Sequence, residues 1–170
     1  LGGYFIGACY DGKLVFNMLK KKEVGGSVDI YDKSYKLWEI RKDYEAETFP
    51  DDISSIGYQI SVYQESINKM FPEYLVNFDY LERVMENYGF KLLTRDEAKD
   101  LKLPEGSGLF SELFNQMTDE VNRNRNYKNE YGAALNMTAN EKKISFLNRY
   151  FVYKKISNVN AEKVKLDEDV

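Results

Sequence analysis

The chain has 170 residues, 43% of them hydrophobic and 31% charged, a composition typical of a globular domain with its own core. A net charge of −4 excludes binding of nucleic acid through a broad basic surface, so any RNA contact must be local. One cysteine and no histidine exclude an internal disulfide, a typical zinc site and a His-dependent catalytic triad. No apolar run approaches the ~20 residues that a membrane span requires.

The first predicted elements are a strand and a helix. Residues 3–9 form an apolar run, typical of a central, buried parallel strand, and Tyr10 begins the turn that follows. Residues 13–21 carry apolar side chains at helical spacing, at Leu14, Val15, Met18 and Leu19. Because domains rarely begin on a buried strand, we expect the chain to start inside a larger fold.

Strands dominate the next part of the prediction. Residues 28–31 and 35–42 read as two short strands, and alternation places Trp38 and Ile40 on one face of the second. Residues 57–63 alternate well enough for a further strand.

In the second half of the chain, helices and strands are predicted to alternate. A helix is expected to begin near Pro72, with Glu73 in its first turn, and to end at Gly89. After it we predict a strand at 90–94, an amphipathic helix at 109–117, a flexible loop at 122–135, a short helix at 139–148, a strand at 149–154 and a mobile tail at 158–170.

This order of elements predicts an α/β fold: half of a doubly wound sheet with a strand-rich insertion. The motifs G-x-G-x-x-G and G-x-x-x-x-G-K-[ST], which bind cofactor phosphates, are both absent from the sequence.

Three segments resemble one enzyme family. The opening Leu1-Gly-Gly-Tyr-Phe-Ile-Gly7 and the closing Asn148-Arg-Tyr-Phe-Val-Tyr-Lys154 are similar to strands of the mRNA cap (guanine-N7) methyltransferases. The more specific match is Phe71-Pro-Glu-Tyr-Leu-Val-Asn-Phe78, which resembles the family's Pro-Glu-[Phe/Tyr]-Leu-Val-x-Phe segment. The resemblance covers residues 1–156. The residues just before the Pro-Glu motif, Tyr-x-x-x-Ile-Asn-Lys, resemble those of capping enzymes of large DNA viruses.

The resemblance implies a fold and a domain organisation. Residues 1–157 would be the C-terminal half of a Rossmann-like, class I S-adenosylmethionine-dependent methyltransferase sheet. A cap-binding insertion would occupy about residues 25–70, and residues 158–170 would be a flexible tail. Such a fragment would be inactive alone, because most of the S-adenosylmethionine site would lie on the other half.

The resemblance also implies roles for particular residues. Glu73 would accept hydrogen bonds from the cap guanine, although a helix N-terminal acid stabilised by the helix dipole is the alternative. Tyr150 would line the guanine pocket or else be a core aromatic. Tyr10, which stands where many relatives have Pro, would pack on the cap or on the methionine moiety. A basic segment would contact the cap phosphates or RNA through Arg123, Arg125 and Lys128. The alternative is that this segment is a solvated loop without a binding role.

The partners implied are capped RNA, the remainder of the methyltransferase domain, and triphosphatase and guanylyltransferase domains, with a stimulatory subunit as a further candidate. No membrane partner is expected. Cys9, the lone cysteine, fits a reducing compartment, so we expect a cytoplasmic location, or a viral factory or virion for a viral protein.

Two other functions are compatible with the sequence. A non-catalytic, methyltransferase-like scaffold subunit would have no use for the carboxylate of Glu73. A methyltransferase acting on a small molecule would have no use for the strand-rich insertion.

Overall fold

The computed structural model describes residues 1–165, which form a mixed α/β structure. The strands are Tyr4–Tyr10 (β1), Ser27–Asp32 (β2), Tyr35–Lys42 (β3), Gln59–Gln64 (β4), Lys69–Tyr74 (β5), Phe90–Leu92 (β6), Ser107–Leu109 (β7) and Asn148–Lys155 (β8). The α-helices are Gly12–Leu19 (α1), Phe78–Asn87 (α2), Arg95–Asp100 (α3), Phe110–Arg123 (α4), Lys128–Tyr131 (α5) and Ala139–Ser145 (α6).

The chain divides into two compact units. The first unit comprises residues 1–9 and 88–161, and the second comprises residues 10–87 together with the segment that begins at Glu162. Each unit contains its own sheet.

In the first unit, strand β8 is the centre of the sheet. It pairs antiparallel with both β6 and β7, and the strand order is β1-β8-β6. The core consists largely of β8 itself, because four consecutive residues are buried: Tyr150, Phe151, Val152 and Tyr153.

Strand β1 differs from its prediction. A strand does form, but it lies at the end of the strand order among the described residues, not at the centre. Its apolar side chains are also open to solvent, with 46–67% of the surface exposed for Tyr4, Phe5 and Ile6. The expectation of a buried strand is therefore wrong for this chain.

The second unit contains a four-stranded antiparallel sheet in the order β2-β3-β4-β5. One face of the sheet is apolar and buried, as the alternation in residues 35–42 predicts. Helix α1 adds four buried residues, one of them Gly12, and is capped by Asp11, whose carboxylate accepts a hydrogen bond from the amide of Leu14 at 3.1 Å. The buried apolar side chains of α1, β3 and β4 are Val15, Phe16, Leu19, Trp38, Ile40, Ile60 and Val62.

The prediction that a helix begins near Pro72 is wrong. Residues 69–74 form strand β5, and the helix begins only at Phe78. Asn77 sets that start, because its side-chain oxygen accepts hydrogen bonds from the amides of Asp79 and Tyr80. Pro72 is tolerated in β5 because this strand lies at the sheet edge, where a missing amide donor costs little.

The predicted flexible loop at 122–135 is wrong as well. Helix α4 continues to Arg123, and 3₁₀ turns at 125–127 and 132–136 flank the short helix α5. Asn124 caps the 3₁₀ turn at 125–127, since its side chain accepts a hydrogen bond from the amide of Asn126.

Two elements were missed by the sequence analysis. Strand β7 has three residues, too few for a periodic pattern to emerge. Helix α3 is also short, but Thr94 and Glu97 form a capping box at its start, which the sequence does signal. Of the tail predicted at 158–170, residues 161–163 form a 3₁₀ turn and residues 166–170 lie outside the described residues.

Candidate functional site

Glu73 carries a free carboxylate on strand β5. It lies opposite Ile60 of β4, and its side chain has no ion pair or hydrogen bond among the described residues. The residue is exposed, yet the surrounding protein removes enough water from the carboxyl group to raise the pKa of Glu73. Because Glu73 is not in a helix, the helix-dipole explanation for this acid is wrong.

Tyr10 lies within electrostatic range of Glu73. Its side chain is buried at the end of β1, and its hydroxyl accepts a hydrogen bond of 3.0 Å from the side-chain amide of Gln64. Burial raises the pKa of Tyr10, and the negative charge of Glu73 raises it further. The structure thus brings two of the predicted site residues into one neighbourhood of the second unit.

Strand alternation adds two residues that the sequence analysis missed. In β5, Phe71 and Glu73 point to the same face, and in β4 Gln64 shares that face through the register of the pair. The ring of Phe71 is 42% exposed. The sequence signal that could have identified them is the alternation of side chains along residues 69–74, typical of a strand. It was overlooked because a helix was predicted to begin near Pro72.

This set of groups suits a planar, polar ligand. A carboxylate is an acceptor only and can take two N–H donors from one edge of a base. An exposed aromatic ring beside it can stack on the face of that base. The hydroxyl of Tyr10 still has a proton to donate, since its bond with Gln64 uses it as an acceptor.

Tyr150 belongs to the first unit and is buried there on β8. Its hydroxyl donates a hydrogen bond of 2.9 Å to the backbone carbonyl of Glu105, and its ring lies against Gly108 of β7. Burial raises the pKa of Tyr150. The phenol proton is therefore already used within the protein, and only 7% of the surface of Tyr150 is exposed.

Replacing Tyr150 by phenylalanine should lower the free energy of unfolding by about 1 kcal/mol, because the carbonyl of Glu105 loses its partner. Urea denaturation measures this change. Tyr63→Phe is the control, since its hydroxyl bonds to Asn68 at an exposed position. Equal stability of Tyr150→Phe and the wild type would show that this hydrogen bond makes no net contribution to folding.

The three predicted phosphate-contacting residues are exposed in the first unit. Arg123 ends α4 and lines a cavity of about 1130 Å³, whereas Arg125 and Lys128 lie on the helical turns that follow. The cavity walls have mixed charge: the cations are Arg95, Lys99, Lys102 and Arg123, and the anions are Asp119, Glu120 and Glu130. The structure therefore does not present these residues as part of a uniformly basic surface.

Within residues 1–165, no helix has both the length and the apolar character needed to cross a bilayer. The same part of the chain contains no cluster of three or more His, Cys, Asp or Glu side chains arranged to hold a metal ion.

Similarity to known proteins identifies the family of this chain. The family model for the mRNA (guanine-N(7))-methyltransferase domain matches residues 1–156. A probable mRNA-capping enzyme of Acanthamoeba polyphaga mimivirus is 27% identical over 176 aligned residues, which cover 93% of this chain and 15% of that protein. The chain thus spans a small part of that relative's length. The family resemblance seen in the sequence is confirmed: the chain belongs to the mRNA (guanine-N(7))-methyltransferase family.

Proposed function

We propose that this chain supplies the cap-guanine-binding half of an enzyme that transfers a methyl group to N7 of the guanine cap of mRNA. The supporting observation is the free carboxylate of Glu73. Desolvation of an ionised group without a partner is unfavourable for folding, so a carboxylate kept in that state favours a role in binding.

Glu73 would recognise guanine through its hydrogen-bonding edge. Guanine presents N1–H and N2–H side by side, and a carboxylate accepts from both. Tyr10 would line the same pocket, and a contact with the cap guanine is also proposed for Tyr150. Contacts to RNA or cap phosphates are proposed for Arg123, Arg125 and Lys128.

The reaction needs no general base in this chain. N7 of guanine has a free lone pair, so no proton has to be removed before methyl transfer. What the protein must supply is orientation of the guanine and exclusion of competing poses, which can account for several kcal/mol of the barrier. The lack of histidine in the sequence is compatible with such a mechanism.

S-adenosylmethionine, the usual methyl donor of this family, is the proposed cofactor. Asp11, just after β1, is not free to bind the ribose of this cofactor, because its carboxylate caps helix α1. We therefore propose that the donor binds mainly to another part of the methyltransferase domain.

The rest of the methyltransferase domain is proposed to pack against strand β1. Tyr4, Phe5 and Ile6 are apolar and exposed at the end of the first unit's sheet, and a protein rarely leaves such an edge uncovered. In this proposal residues 1–157 are the C-terminal half of a Rossmann-like domain, and the β2–β5 sheet is its cap-binding insertion, at about residues 25–70. Triphosphatase and guanylyltransferase domains, and a stimulatory subunit, remain proposed partners.

A methyl-transfer assay tests this function. The complete enzyme, meaning this chain joined to the rest of the methyltransferase domain, should transfer labelled methyl groups to the N7 position of capped RNA, and this chain alone should not. Product analysis must show 7-methylguanosine. A complete enzyme that binds capped RNA without methylating it would instead favour the scaffold subunit.

A further inference from the structure

Strand β5 presents three unengaged side chains in a row. Lys69, Phe71 and Glu73 alternate along the strand and so point to one face, and all three are exposed. Among the described residues, none of the three makes an ion pair, a side-chain hydrogen bond or an aromatic ring contact. Their neighbours on the opposite face do make such contacts: Ser61, across from Pro72, and Tyr74 are both hydrogen-bonded.

The order of the three groups matches the order of parts in a guanine nucleotide. An anion, an aromatic ring and a cation follow one another at two-residue steps. With a rise of about 3.3 Å per residue, the strand separates the first from the last by roughly 13 Å. A guanine has its donor edge at one end, its stacking face in the middle and, beyond the ribose, its phosphates.

The charge of Lys69 is available for a ligand. Its cross-strand partner is the neutral Gln64, and that side chain is already bonded to the hydroxyl of Tyr10. Since no carboxylate pairs with Lys69, a phosphate brought near it would meet an uncompensated ammonium group.

We propose that β5 recognises the whole 5′ guanosine triphosphate portion of the cap, with Lys69 binding the triphosphate and Phe71 stacking on the guanine held by Glu73. The inference rests on the proposed function, because it takes Glu73 as the residue that reads the base. The inference adds Lys69 of the second unit as a phosphate-binding residue, in addition to the arginines proposed for that role in the first unit.

Affinities of two probes separate the roles of these side chains. In the complete enzyme, Lys69→Ala should weaken binding of the cap dinucleotide GpppA about 3- to 10-fold and leave binding of guanosine unchanged, because guanosine has no phosphate. High salt should shrink that difference. Phe71→Ala should weaken both probes by a similar factor, and Phe71→Tyr should restore them.

The strand itself supplies matched controls. Met70→Ala alters the opposite face of β5 and should change neither affinity. The double substitution of Lys69→Met with Met70→Lys keeps composition and net charge but moves the cation to the other face, and it should behave like Lys69→Ala. Circular dichroism checks that each variant is folded.

The outcomes distinguish this inference from the proposed function. If Lys69→Ala leaves GpppA binding unchanged, or weakens guanosine and GpppA equally, then β5 does not bind the triphosphate and the inference is wrong. The proposed function stands in that case provided that Glu73→Gln still weakens both probes. If Glu73→Gln changes neither, both proposals fail together.

Discussion

Replacing Glu73 by glutamine should lower the affinity of the complete enzyme for a cap dinucleotide about 10- to 100-fold. Glutamine keeps one acceptor oxygen but turns an NH₂ group toward the second guanine donor, so a charge-assisted hydrogen bond becomes a repulsive contact. Such bonds contribute roughly 1.5–3 kcal/mol, which corresponds to this loss. Isothermal titration measures it.

The same substitution should not destabilise the protein. Desolvation raises the pKa of Glu73, so the ionised group favours the unfolded state, and any stability linked to its protonation is lost as pH rises through the folded-state pKa. At pH 7 the neutral glutamine should therefore leave the melting temperature unchanged or raise it. Cap binding, in contrast, should weaken as pH falls toward the raised pKa, because the protonated acid is no longer a double acceptor.

Glu65→Gln is the matched control, since Glu65 is an exposed acid in the turn between β4 and β5. It should change cap affinity by less than about 2-fold, as expected for an exposed charge without a specific contact. Equal affinities for the wild type and Glu73→Gln would show that guanine is recognised elsewhere.

Gly12→Ala should destabilise the second unit by about 1–3 kcal/mol, because overpacking against backbone cannot relax easily. A Cβ atom at this position would lie 2.4 Å from the carbonyl oxygen of Val76, which also accepts the hydrogen bond from the amide of Gly12. Alanine favours helices over glycine by roughly 0.5–1 kcal/mol, which is too little to offset the clash. Urea denaturation followed by circular dichroism measures the change.

Gly3→Ala is the comparison for Gly12→Ala. No atom lies within 4 Å of the Cβ that alanine would add there, so its effect should stay within about 0.5 kcal/mol. If the two variants unfold at the same urea concentration, the close approach of Gly12 to Val76 does not limit stability.

Much of the fold follows from periodicity in the sequence. The strands at β2 and β3 and the helix α1 have clear two- or three-to-four-residue patterns, and they form as predicted. The prediction fails at residues 69–78. The spacing of Leu75, Phe78 and Leu81 suits a helix that begins near Pro72, but the helix begins only after Asn77. Pro72 strengthened the error, since proline is common both at helix starts and on edge strands.

The candidate site was less accessible to sequence reasoning. Glu73 was identified by resemblance to a family segment, and its local pattern indicated a helical acid. Gln64 and Phe71 join it through the register of the β4–β5 hairpin, which could not be inferred while the residues after Pro72 were assigned to a helix. The bond from Gln64 to Tyr10 spans 54 positions, and no local signal encodes a contact of that range.

The chain's single tryptophan, Trp38, is buried in β3 and so lies entirely within the second unit. Its emission, excited at wavelengths where tyrosine does not absorb, reports on the surroundings of the β2–β5 sheet. The first unit contributes tyrosines but no indole. Intrinsic fluorescence can therefore follow the opening of one unit while circular dichroism follows both, and no added label is needed to tell them apart.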